Sequence, residues 1–120
     1  MRPTTCIILP TYNEAENIRW VVSAIFAQSE KIDSHELHVL VVDDDSPDGT
    51  QDKVRDMMGK HPNLHLVTGE KKGLGEAYKR GMAYAMSQLA PDLIFEMDAG
   101  VNPNWGKFTN RRNGTDFLAL

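Results

Sequence analysis

A chain of 120 residues with 41% hydrophobic and 25% charged side chains has the composition of one globular domain, taken here as residues 1–120. A formal net charge of −4 and a pI near 5.5 exclude a general affinity for nucleic acid or anionic lipid, since both need a clustered positive surface. The single cysteine, Cys6, excludes an intrachain disulfide and reads as a small buried core residue. No apolar run approaches the roughly 20 residues that span a bilayer and no signal peptide is evident, so the piece is expected to be soluble and in a reducing compartment.

Thr5 to Leu9 is a β-branched run that Pro10 is expected to end, which reads as a buried strand. From Glu14 the period changes: Ile18, Val21, Val22, Ile25 and Phe26 make one apolar stripe on a helix, with Asn13 as its candidate cap. Leu37 to Val42 is a second strand, apolar almost throughout, as in a parallel sheet covered on both faces. Turn residues Ser46-Pro47-Asp48-Gly49 follow, and Thr50 is expected to cap a short helix reaching about Met58. Leu64 to Val67 reads as a third strand. Leu74, Ala77, Tyr78, Gly81, Met82, Ala85, Met86 and Leu89 then keep helical spacing, with Gly81 on the buried face to permit close packing. Asp92 to Met97 reads as a fourth strand, the stretch after Gly100 as loop, and Asp116 to Leu120 as the start of a fifth strand. Strands alternating with helices imply βαβ units and a doubly wound, mostly parallel α/β sheet with helices on both faces.

In such sheets ligands bind outside the carboxyl ends of the strands. The first strand brings Pro10-Thr11-Tyr12-Asn13-Glu14 there, the second Asp43-Asp44-Asp45 and the fourth Asp98. A ring, a carboxylate for base or ribose hydroxyls and another carboxylate for a metal would make a nucleotide pocket. Single aspartates serve turns and helix caps, but three adjacent ones at the end of a buried strand repel one another unless solvent or a cation intervenes. Glu70-Lys71-Lys72-Gly73-Leu74-Gly75 either presents amide and ammonium groups to a phosphate or is a plain strand-to-helix turn. His35, His38, His61 and His65 read as surface histidines, because neither close pair shares a helical face. Asn113-Gly114-Thr115 fits the glycosylation pattern without any sorting signal to support it.

Four segments in this order and spacing, CIILPTYNEAENI, VVDDDSPDGT, KKGLGEAYKRGMAYA and DLIFEMDA, resemble the dolichol-phosphate mannosyltransferases and polyprenol-phosphate sugar transferases of glycosyltransferase family 2, over about residues 5–99. The resemblance implies the GT-A fold and transfer of a sugar, mannose from GDP-mannose in many members, to a polyprenyl or dolichyl phosphate with Mg²⁺ or Mn²⁺. It further implies that Pro10, Tyr12 and Glu14, with Val42 and Asp44, hold the base and ribose. Asp98 and Ala99 would lie against the diphosphate, with Asp98 as the catalytic, metal-linked carboxylate. Such a transferase works at a membrane surface, so the cytosolic face of a membrane is the expected location and a membrane anchor or partner subunit is possible. Gly100 stands where the family usually has a second aspartate, residues 100–120 diverge from the pattern, and the chain reads as a truncated amino-terminal half. A nucleotide-binding module without turnover is the alternative; a phosphoacceptor signalling domain fits poorly, since its paired acids follow the first strand.

Overall fold

The computed structural model describes residues 3–31, 34–97, 108–109 and 116–117. Four parallel strands, β1 (Thr4–Thr11), β2 (Glu36–Asp43), β3 (Leu64–Thr68) and β4 (Leu93–Glu96), form a sheet in the order β3-β2-β1-β4. Helices α1 (Ile18–Ser29), α2 (Thr50–Met58) and α3 (Leu74–Tyr84) connect them, and α3 runs on into a π-helical turn over Ala85–Leu89. A two-residue antiparallel ladder joins β5 (Phe108–Thr109) to β6 (Asp116–Phe117). The former falls where loop was expected and the latter at the start of the expected fifth strand. No helix among the described residues is long and apolar enough to cross a membrane.

Alternation along β1 and β2 sorts the core into two layers. Ile7, Leu9, Val39 and Val41 face α1 and α2, meeting Ile18, Val21, Val22, Ile25, Val54 and Met57. Cys6, Ile8, Leu40 and Val42 face α3, meeting Ala77 and Ala85. The doubly wound sheet with helices on both faces is therefore as expected. Burial pushes the Cys6 thiol up to about 12, which leaves it a packing group rather than a reactive one.

Several local expectations give way to tertiary structure. Pro10 lies inside β1 rather than ending it, paired in register with Val42. Ile8 O accepts from Met97 N on the β4 side, so Pro10, two residues on, turns its donor-less nitrogen to that same side, past the last β1–β4 pair. Asn13 is not the cap of α1: it adopts a left-handed φ of 55°, and the helix begins at Ile18 after Asn17. Neither Asn17 nor the residue before α2 makes a side-chain cap bond. Four buried aliphatic side chains on α1, each contributing roughly 1.5–3 kcal/mol, outweigh a missing cap of about 1 kcal/mol. Thr50 is the first residue of α2 and Gly49, at φ 91°, precedes it as the cap.

The stripe on α3 is narrower than its spacing suggests. Leu74, Met82 and Met86 are exposed, and the contact face is the small-residue row Ala77, Gly81, Ala85. A Cβ on Gly81 would stand 2.8 Å from methyl groups of both Ile8 and Val42, so the helix seats on the sheet because the side chain is missing. Gly81→Ala gains about 1 kcal/mol in helix propensity but overpacks two fully buried branched side chains, costing about 1–3 kcal/mol. A net loss of about 1 kcal/mol is expected in urea denaturation.

The histidines depart further from expectation. His38 on β2 and His65 on β3 are partly buried, and Nδ1 of the first lies 2.9 Å from Nε2 of the second, with the Tyr84 ring tilted against His65. His61 stacks on Phe26. Burial holds both His38 and His65 below the ordinary imidazole range; Glu36 opposes the shift at His38, and His38 itself adds to it at His65. Bases whose folded pKa is depressed contribute stability that is present above the unfolded value and lost as pH falls through the folded one. The urea midpoint should therefore drop between pH 7.5 and pH 5, and the double variant His38→Gln, His65→Gln should flatten that slope.

Candidate functional site

The strand order places the site. β1 leads through α1 to β2 on one side, while α3 carries the chain from β3 back across to β4 on the other. Ligands of open α/β sheets bind where the order reverses, outside the carboxyl end of the first strand. The loop after β1 (Tyr12 to Asn17) and the loop after β2 (Asp44 to Gly49) meet there.

Asp43 organises the meeting. It is fully buried, and its carboxylate accepts from Thr11 Oγ1 at 2.7 Å, Ser46 N at 2.8 Å, Ser46 Oγ at 2.7 Å and Gln51 Nε2 at 2.8 Å. The loop after β2 then holds the loop after β1 by its backbone. Asn13 N donates to Ser46 Oγ (2.8 Å), Glu14 N to Thr50 Oγ1 (3.1 Å) and Ala15 N to Asp48 Oδ2 (3.1 Å), while Lys53 Nζ donates to Ala15 O (2.8 Å). Thr50 also donates to Asp48 through its hydroxyl and its amide, and the hydroxyl bond is the main reason the Asp48 carboxyl stays below the usual carboxylate range. Left-handed backbone at Asn13 and Asp45, with φ of 55° and 49°, is sustained within this network.

The three aspartates do not share one site, contrary to the clustering expected from their adjacency. Asp43 is spent on structure. Asp44 turns to the other side, its amide donating to Thr11 O (3.0 Å) and its carboxylate accepting from Arg80 Nη1 (3.0 Å). Asp45 is exposed on the left-handed turn. Mutual repulsion is relieved by divergence and by separate partners rather than by a shared cation.

Of the residues expected to hold a nucleotide, Pro10 and Val42 are register partners at the ends of β1 and β2, and Asp44 follows directly. Val42 is fully buried, its side chain packed against α3. Tyr12 is 39% exposed, and Lys71 Nζ sits 3.8 Å above its ring centroid. Glu14 is half-exposed, its Oε2 accepting from Asn17 Nδ2 at 3.4 Å. Asp98 and Ala99 lie outside the described residues, as do Gly100 and Asn113-Gly114-Thr115. The loop at Glu70 to Gly73 is a strand-to-helix turn with Gly73 at φ 100°, and Lys72 pairs with Glu70 at 3.5 Å. Sequence reasoning missed Asp43, Ser46, Asp48 and Thr50 as the frame of the site. The available signal was an acid ending a buried strand with hydroxyl residues three and seven positions later, a pattern that turn chemistry alone also explains.

Among the described residues no three His, Cys, Asp or Glu side chains gather as a metal ion would need. Asp43→Ala strips four donors of their buried acceptor, and a loss of about 3 kcal/mol is expected, read as a lower urea midpoint. Asp48→Asn should instead weaken the dependence of stability on acid pH, since the stability Asp48 contributes is present above its unfolded pKa and lost as pH falls through its depressed folded value.

Comparison with known proteins agrees with this geometry. The family model described as glycosyl transferase family 2 matches residues 6–114. The chain is 36% identical over 103 residues to a polyprenol monophosphomannose synthase of Mycolicibacterium smegmatis, covering 82% of this chain and 37% of that protein. It is 36% identical over 93 residues to a dolichol-phosphate mannosyltransferase of Pyrococcus furiosus, covering 78% of this chain and 24% of the other. A mannosyltransferase of Pyrobaculum calidifontis, solved in complex with GDP-Man and Mn²⁺, superposes with a TM-score of 0.69 at 34% identity, over 82% of this chain and 28% of its own. Mannosyl-3-phosphoglycerate synthase of Rubrobacter xylanophilus gives 0.62 at 27%, over 84% of this chain and 32% of that one. The chain thus spans well under half the length of these relatives, on a sheet that resembles those of GT-A glycosyltransferases. With a family match over residues 6–114 and a relative 36% identical over 82% of its length, the chain belongs to glycosyl transferase family 2.

Proposed function

We propose that this chain is the nucleotide-sugar-binding half of a hexosyltransferase that moves mannose from GDP-mannose to a polyprenyl or dolichyl phosphate. The observation that carries the reading is the 34% identity to a mannosyltransferase solved with GDP-Man and Mn²⁺, with Tyr12, Glu14 and Asp44 in the loops that follow β1 and β2. Tyr12 offers a ring to the base, while the Glu14 and Asp44 carboxylates accept from ribose or base N–H and O–H groups. Pro10 and Val42, buried register partners at the strand ends, would back the site from beneath. An acceptor phosphate is already anionic, so one of its oxygens bonds to the anomeric carbon as the bond from that carbon to the nucleoside diphosphate breaks, without a protein nucleophile. A divalent ion, Mg²⁺ or Mn²⁺, held at Asp98 with Ala99 beside the diphosphate, would neutralise the charge of the leaving group. A lipid-phosphate acceptor puts the work at a membrane surface, with the cytosolic face as the proposed side.

Gly100, where the family usually has another aspartate, favours a second reading in which the chain binds the nucleotide without turnover. Calorimetric titration with GDP and with UDP, each with and without Mn²⁺, separates the cases. Binding of GDP is expected; Asp44→Asn should weaken it about tenfold or more, and Asp98→Ala should abolish its metal dependence. Release of free GDP from GDP-mannose in the presence of a polyprenyl phosphate marks the transferase, and binding without release marks the module. No binding of either nucleotide at millimolar concentration would overturn both.

A further inference from the structure

Arg80 belongs to none of the family motifs' assigned roles, yet three features converge on it. It directly precedes Gly81, whose contact with Ile8 and Val42 fixes the helix against the sheet. Its guanidinium crosses Gly69, where any Cβ would overlap Cζ and Nε. Its two terminal nitrogens then part: Nη1 donates to Asp44 Oδ1 at 3.0 Å, and Nη2 donates to the Glu70 carbonyl at 3.0 Å.

The division of that fork has a consequence. A guanidinium that placed both nitrogens on one carboxylate would fill both of its oxygens. Here one oxygen of Asp44 is engaged, and Oδ2 is the oxygen Arg80 does not use. The other nitrogen holds the segment that begins at Gly69, whose amide donates to Asp43 O at 3.1 Å, and that carries Lys71 over the Tyr12 ring at 3.8 Å. Asp44 and Tyr12 sit on different strands' loops, and one side chain reaches toward both.

We propose that Arg80 is the positioning residue of the nucleoside diphosphate pocket, orienting Asp44 for a ligand hydroxyl or N–H and, through the Glu70 carbonyl, holding Lys71 over Tyr12. This rests on the nucleotide-binding reading. Gly69 is part of the device, because its missing side chain is the slot in which the guanidinium lies. Lysine cannot replace arginine here, since one ammonium on a shorter stem does not reach two acceptors in fixed directions.

The test uses the purified chain with GDP as the probe. Wild type, Gly69→Ala, Arg80→Lys and Arg80→Met are titrated by calorimetry, their unliganded thermal midpoints are measured, and the Tyr12 ring resonances are followed by NMR. Gly69→Ala meets only the far end of a flexible side chain, so its midpoint should match wild type while its GDP affinity falls on the order of tenfold and the Tyr12 ring resonances shift. Arg80→Lys should lose affinity to a similar degree and not rescue Arg80→Met. Wild-type affinity in Gly69→Ala and Arg80→Lys would overturn the proposal while leaving the nucleotide reading standing. If wild type binds no nucleotide, that reading fails first, and Tyr12 resonances unmoved by Gly69→Ala would overturn the positioning role on its own.

Discussion

A single buried carboxylate, Asp43, holds the two halves of the site in one piece. Removing an ion from water costs several kcal/mol, and only dense hydrogen bonding offsets it. Four donors from β1, the loop after β2 and α2 supply that bonding. Because charge-assisted bonds are roughly twice as strong as neutral ones, the end of β1 and the start of α2 cannot drift apart without leaving that charge unpaired. Ser46, fixed by Asp43, in turn fixes the Asn13 amide, so the loop after β1 inherits its shape from the Asp43 carboxylate.

The same logic separates the neighbouring acids. Successive residues of a strand point to opposite sides, so Asp43 enters the frame while Asp44 meets Arg80, and left-handed backbone at Asp45 directs the third outward. Three adjacent carboxylates thus perform three unlike tasks. Asp44 is nearly as buried as Asp43, yet its partner lies 36 residues away on a helix that arrives from the far edge of the sheet. A carboxylate held by one arginine nitrogen is compensated in charge and still has accepting capacity, which a binding residue needs and a frame residue does not.

How far the sequence could be read follows from the range of the interactions. Alternation in β1 and β2 and the apolar stripe on α1 are local patterns, and the sheet, its layers and its helices follow from them. The motifs PTYNE and DDDSPDGT mark the site region without separating frame from ligand contact. That distinction depends on pairs such as Thr11 with Asp43 and Ala15 with Asp48, which lie more than thirty residues apart. The α3 face is legible in part: its spacing puts Ala77, Gly81 and Ala85 on the buried side, but Leu74, Met82 and Met86, large apolar residues in the same pattern, are exposed. His38 and His65 read as surface histidines because their contact exists only once β2 and β3 pair.

The two sides of β1 are paired over different lengths. β4 pairs with β1 from Thr5 to Ile8, so the strand's last residues run on beyond that pairing among the described residues. An unpaired strand end invites further hydrogen bonding from any passing strand. At that point the side facing β4 carries Pro10, which has no N–H to offer, so β-sheet pairing there loses a donor. Through Asp43 the loops after β1 and β2 are held by several bonds at once, whereas on the other side of β1 four residues of β4 deliver the chain to Met97, hydrogen-bonded to Ile8.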